Sequence, residues 1–114
     1  MSKLLISISL FFTGQAMVWF LNNGQFLWPW FKRNPFLLSL FGGSMISYSF
    51  IIATKFAVEH FEGQLWPGRF LGFALGIGSY ALFTWYFMDE GINAKTATSL
   101  ILATGIICVQ LFWK

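Results

Sequence analysis

The sequence predicts an all-α membrane protein: a four-transmembrane-helix bundle that forms an antiparallel homodimer. Two observations carry the membrane prediction. Of the 114 residues 57% are apolar and only 10% charged, whereas a water-soluble domain uses about 25% charged residues to cover its surface. In water, 15 Phe and 6 Trp would stay exposed and drive aggregation, so lipid is the solvent that fits. The apolar residues also fall into four runs, each close to the roughly 20 residues that cross a hydrocarbon core about 30 Å thick.

The first span runs from about Leu4 to Leu21 and stops at Asn22-Asn23-Gly24. Lys3, the apolar run and Gly14-Gln15-Ala16 also have the outline of a signal peptide. The run continues through Met17, Val18, Trp19 and Phe20, however, so it reads as a retained span. The connection Gln25-Phe26-Leu27-Trp28-Pro29-Trp30-Phe31, followed by Lys32-Arg33, is too apolar for a solvated loop and reads as a segment lying in the headgroup layer. Pro35 opens the second span, about Phe36 to Ala57, and Glu59-His60-Phe61-Glu62-Gly63 closes it. His60 to Trp66 again mixes polar and aromatic residues, as an interfacial segment does. Pro67-Gly68 leads into the third span, about Arg69 to Met88. After Asp89-Glu90-Gly91-Ile92-Asn93, with Asn93 or Thr96 as a helix cap, the fourth runs from about Ala97 to Trp113. Connections this short predict that successive helices are antiparallel neighbours.

Tryptophan placement agrees with this map, because the indole favours the membrane–water interface. Trp19, Trp85 and Trp113 fall near span ends, and Trp28, Trp30 and Trp66 fall in connections. Lys55 is the deepest charge, with a stem long enough to snorkel to the surface. Four spans put Lys3, Lys55, Arg69 and Lys114 on one side and Lys32, Arg33 and Lys95 on the other. A four-to-three division of positive residues is close to neutral under the positive-inside rule. Two readings stay open: a weak bias resolved by the insertion machinery, or insertion in both directions with antiparallel pairing.

Small residues let membrane helices approach closely. Gly68, Gly72 and Gly76 recur every fourth residue in the third span, with Tyr80 next on that face; Ser39, Gly43 and Ser47 do so in the second, beside Ser44 and Tyr48. We assign Gly43, Gly72 and Gly76 to helix packing. Gln15 is the most informative single residue. A mid-span amide costs free energy unless it finds a hydrogen-bond partner, so it faces the bundle interior or a partner chain, either as interhelical glue or as a contact to a solute. A polar cavity lined by Gln15, Ser47, Tyr48 and Tyr80 is the expected substrate site.

No Asp, Glu, His, Lys or Arg lies well inside a span, so no buried group is available to couple transport to protons. His60 beside Glu59 and Glu62 is too sparse for a metal site, no nucleophile–base pair or phosphate loop appears, and no cofactor or catalysis is expected. The net charge of +3 is scattered, which points away from nucleic acid. Cys108, the single cysteine, cannot form an internal disulfide and reads as a small core residue.

At the C-terminal end Thr84-Trp85-Tyr86-Phe87-Met88-Asp89-Glu90-Gly91, followed by Leu100 to Leu111, resembles the small multidrug resistance family of the drug/metabolite transporter superfamily. Its members end the third helix in a small residue, Trp and a polar turn, and carry a glycine in the fourth where Gly105 stands. The resemblance covers roughly the last third of the chain, and otherwise only length and span count. It implies a homodimer joined through the fourth helix at Gly105, with Ala103 and Cys108 alongside. The chain departs from the family in its first helix, where Gln15 replaces the proton-binding glutamate, and in the third, where Gly72 falls near the family's mid-span Trp. The expected function is movement of a small solute or lipid headgroup by alternating access as a homodimer, in a plasma or inner membrane. The alternative is a non-transporting subunit or scaffold packed against lipid and other membrane proteins.

Overall fold

The computed structural model describes residues 2–113; Lys114, counted above with one side's charges, lies outside them. Helix α1 covers Lys3–Asn23, followed by a 3-10 turn over Gly24–Phe26 and a short helix α2, Pro29–Arg33. Helices α3 (Pro35–His60), α4 (Trp66–Met88) and α5 (Ala94–Phe112) follow, and the described residues contain no strand. Helices α1, α3, α4 and α5 are long and apolar enough to cross a membrane, consistent with a multi-pass integral membrane protein.

Each boundary has a local cause. Ser2 Oγ accepts the amide of Leu5 at 3.2 Å and caps α1, while Asn93 Oδ1 accepts that of Thr96 at 2.9 Å and caps α5; of the two cap candidates, Asn93 is the one used. Pro35 and Pro67 sit in the first turns of α3 and α4, where the missing N–H has no helical acceptor to lose. Helices α3 and α4 therefore begin earlier than the apolar runs alone indicate. Asp89 ends α4 in the left-handed region at φ 57°. In the α3–α4 connection Glu62 and Gly63 have φ 60° and 89°, a tight reversal whose second position favours glycine.

The molecule is a slab of 47 × 36 × 21 Å, ordered α3, α1, α4, α5 across its width. Helix α1 is the central element, flanked by α3 and α4, and α5 lies outside against α4. The expectation that successive helices are neighbours is thereby corrected for α3 and α4, which meet only briefly. The connection Phe61–Leu65 lets α4 step over to the far side of α1, where small residues offer a closer fit.

Those small residues set the packing, since helix association in lipid depends on close contact and hydrogen bonds rather than on escape from water. Ser7 is fully buried and donates to the Ala53 carbonyl at 3.0 Å, locking α1 to α3. On the same interface a β-carbon at Gly14 would overlap the Phe50 ring, and one at Gly42 would overlap the Leu21 methyls. On the α4 side, β-carbons at Gly72 and Gly76 would come within 3.1 Å of Phe11 and 3.0 Å of Gln15. Where α3 and α4 touch, Gly68 faces Ala57 at 3.2 Å by the same measure. Gly43 differs: among the described residues no atom outside its own stretch of helix lies within 4 Å of its β-position, and its neighbour Gly42 takes the close approach instead. Register decides this, because one residue turns the side-chain position by about 100° around the helix.

Trp19 lies near the end of α1, where the sequence map has it, but its side chain faces the bundle rather than the headgroup layer. Trp19 is 2% exposed and donates its indole N–H to Thr84 Oγ1 at 3.0 Å. Its ring packs among Phe20, Phe83 and Phe87 at centroid distances of 5.2–5.8 Å. A partner hydroxyl on α4 supplies inside the bundle what the headgroup layer supplies outside it. Cys108 is likewise no core residue: it is exposed, because α5 meets the bundle along one edge and none of its residues is buried.

Candidate functional site

The one amide near the middle of α1 sets the position of the site. Gln15 reaches across to α4, where its Nε2 lies 3.4 Å from the Gly72 carbonyl and its amide rests over Gly76. At 3.4 Å this is a long, weak hydrogen bond, and Gln15 is only half-buried. Its other side faces a cavity of about 290 Å³ between α1, α3 and α4. The cavity exists because α3 and α4 both pack on α1 while barely meeting each other, and because Gly68 and Gly72 contribute no side chains to its α4 wall.

Phe11, Phe50 and Leu65 give the cavity an apolar wall, and Gln15, Thr54 and Arg69 supply its polar side chains. Arg69, near the beginning of α4, and Leu65, just before it, lie at the membrane end shared with Lys3 and Glu59, whose side chains lie 3.7 Å apart. Gly72 lies six residues into α4 from Trp66, roughly 9 Å along the helix axis. The cavity thus extends along the α3–α4 gap from that end of the bundle to Gln15. Beyond Gln15, toward the opposite surface, Phe20 packs against Phe83 in a tilted arrangement and edge-on against Phe87, with centroid distances of 5.3 Å and 5.3 Å. With buried Trp19, these rings close the α1–α4 interface on that side.

Thr13, Ser44, Thr98 and Thr104 each donate to the carbonyl four residues back, at 2.7–2.8 Å, which satisfies the group on a lipid-facing surface. Thr54 makes no such bond among the described residues and lines the cavity, so its hydroxyl is available to a ligand.

Of the four residues assigned to one substrate site, a single chain brings only Gln15 to this cavity. Tyr80 lines a second cavity of about 250 Å³ between α4 and α5, with Thr84, Glu90, Thr96 and Ser99. Tyr48 is 70% exposed and Ser47 is exposed, and neither lines this cavity. The physical reason is the slab: α1 separates α3 from α4, so Tyr48 and Tyr80 lie on opposite sides of it. Gly105 has open space at its β-position, Ala103 is half-buried where it lines the α4–α5 cavity, and Cys108 is exposed. Thr54 and Arg69 are the residues missed by sequence reasoning. The signal for Thr54 was present in its spacing from Ser47, seven residues earlier and two turns away on the same helix side, but Arg69 looked like one of several charges at a span end. Among the described residues no group of three or more His, Cys, Asp and Glu side chains could hold a metal ion. No family model matches the chain, and searches of curated proteins and of solved structures likewise find no match.

Proposed function

We propose that this protein moves a small solute or lipid headgroup across the membrane as a homodimer, by alternating access, with the cavity beside Gln15 as its binding site. One observation carries the reading. A half-buried amide, an unbonded threonine hydroxyl and a cation line a cavity within a bundle whose spans are otherwise apolar. An amide at the depth of Gln15 is expensive to retain in hydrocarbon, and its one bond, at 3.4 Å, is weak, so a ligand would complete it. The cavity extends along the α3–α4 gap to one end of the bundle, and rings of α1 and α4 pack the opposite side, as one state of an alternating-access cycle requires. Helices meeting through glycine can rock against one another without first expelling large side chains.

The homodimer is supported by the surface of α5, which leaves Gly105 open and Cys108 exposed, in the helix that carries the dimer contact in the small multidrug resistance family this chain resembles. A second copy could also bring Ser47, Tyr48 and Tyr80 to a shared chamber. The same uncovered α5 favours one competing reading, a non-transporting subunit whose partner is another membrane protein.

Uptake into vesicles containing the purified protein separates the two. Transport predicts flux above that of empty vesicles for at least one member of a panel of small solutes and fluorescent lipids, reduced at least tenfold by Gln15→Ala. Background flux across the panel, with the variant unchanged from wild type, would favour the scaffold. A reporter fused to the C-terminus tests antiparallel pairing: signal on both membrane sides supports it, and signal on one side removes it.

A further inference from the structure

The cavity beside Gln15 has a charge sign as well as a position. Arg69 is the one charged side chain lining it, and no carboxylate does. Among the described residues the single ion pair joins Lys3 to Glu59, so Arg69 has no carboxylate within salt-bridge reach. Its guanidinium carries five N–H donors in a planar fork suited to carboxylate and phosphate oxygens. Gln15 adds the amide N–H not directed at Gly72 and Thr54 a hydroxyl. Gly68, also on the wall, lies in the first turn of α4, where backbone N–H groups lack helical acceptors. The donors therefore outnumber the acceptors, and the charge among them is positive. Opposite them stand the Phe11 and Phe50 rings, 6.0 Å apart between centroids, which offer a surface for an apolar tail.

We propose that the cavity binds a phosphate-bearing amphiphile, its phosphate held by Arg69 and hydrogen-bonded by Thr54 and Gln15, its apolar part lying on Phe11, Phe50 and Leu65. This deepens the assignment of the cavity as the binding site and rests on it. The guanidinium, exposed at this end of the cavity, attracts an anion and repels a cation. Two sources share the chemistry: a phospholipid entering between α3 and α4 from the bilayer, and a soluble organic phosphate entering from the surface.

The test uses the full chain in nanodiscs of phosphatidylcholine with one-fifth phosphatidic acid, extracted and scored for retained lipid by native mass spectrometry. Glycerol 3-phosphate is titrated separately against protein in a neutral detergent, read by thermophoresis. Wild type should retain phosphatidic acid over phosphatidylcholine, or bind glycerol 3-phosphate. Arg69→Gln should weaken whichever is seen by roughly ten- to a hundredfold, the usual loss for charge-assisted hydrogen bonds. Arg69→Lys should retain most of the effect and Thr54→Val should lose part of it. Lys32→Gln, which removes a cation from α2, should change nothing. Lipid retention alone assigns the phosphate to the bilayer, and glycerol 3-phosphate binding assigns it to the aqueous side. No preference in either arm, or a preference that Arg69→Gln leaves intact in a monodisperse protein, overturns the proposal. Flux of a neutral solute that depends on Gln15 but is insensitive to Arg69→Gln would likewise overturn the anionic ligand while leaving transport standing. Arg69-dependent phosphate binding with no flux would retain the ligand and remove transport.

Discussion

Removing the Thr84 hydroxyl tests whether α1 and α4 are joined as described, because the indole it serves is 2% exposed and bonded at 3.0 Å. Thr84→Val preserves shape and leaves the Trp19 N–H without an acceptor. Interhelical hydrogen bonds in membranes average about 0.6 kcal/mol and reach about 1.7; good length and near-complete burial place this one in the upper half, at about 1 kcal/mol. Trp19→Phe acts differently. The freed Thr84 hydroxyl can turn to the carbonyl of Tyr80 in its own helix, so little hydrogen bonding is lost. About 40 Å³ of ring volume is vacated, which at about 24 cal/mol per Å³ costs about 1 kcal/mol. In the double variant there is no N–H left to strand, so adding Thr84→Val to Trp19→Phe should cost close to nothing. The expected coupling energy is therefore about 1 kcal/mol, equal to the cost of Thr84→Val alone. Unfolding by SDS titration in mixed micelles, followed by circular dichroism at 222 nm, measures all four proteins. Equal cost of Thr84→Val in both backgrounds, or no cost in either, would refute the pairing of these residues.

Three further outcomes can be read with the same titration. Gly14→Ala should destabilise by about 1–3 kcal/mol, because the new methyl overlaps the Phe50 ring and the ring must leave its place on the cavity wall. Gly43→Ala and Gly105→Ala should leave the single chain unchanged or raise its stability by up to about 1 kcal/mol, since neither β-position has a neighbour within 4 Å; a loss of dimer in cross-linking without loss of stability would identify either glycine as a contact to a second copy. Glu59→Gln should shift stability by no more than about 0.5 kcal/mol, and less as salt is raised, because the Lys3–Glu59 pair is half-exposed and solvent screens it.

The transmembrane elements were legible because their signals are local. Apolar length, Pro35, Pro67 and the Asn93 cap lie within a few residues of the boundaries they set, and the observed helix ends differ from those of the sequence spans by three residues or fewer. Gln15 stood out because an amide in a span has few explanations. Gly72 and Gly76 were marked by a four-residue period that the α1–α4 packing uses directly. Gly43 matched a similar stripe yet has open space beside it, since a stripe gives the small face of one helix and not the helix that meets it. Tyr48 and Tyr80 belonged to the same kind of inference: each shares a face with small residues, but whether the two faces converge depends on which helix lies between them.

What the sequence determined by itself is the solvent and the segmentation. A chain this apolar, with charges confined to the ends of its long runs, is suited to hydrocarbon, and each helix satisfies its own backbone there without help from its neighbours. Only the tertiary structure decided that α1 lies at the centre, that Trp19 is inside, and that Thr54 and Arg69 share a cavity with Gln15. Lipid is as apolar as the helices it surrounds, so hydrophobicity cannot rank their possible neighbours. That choice falls to contacts a few ångströms long, between Ser7 and the Ala53 carbonyl and between the Trp19 indole and Thr84, whose partners are separated by 46 and 65 residues of chain.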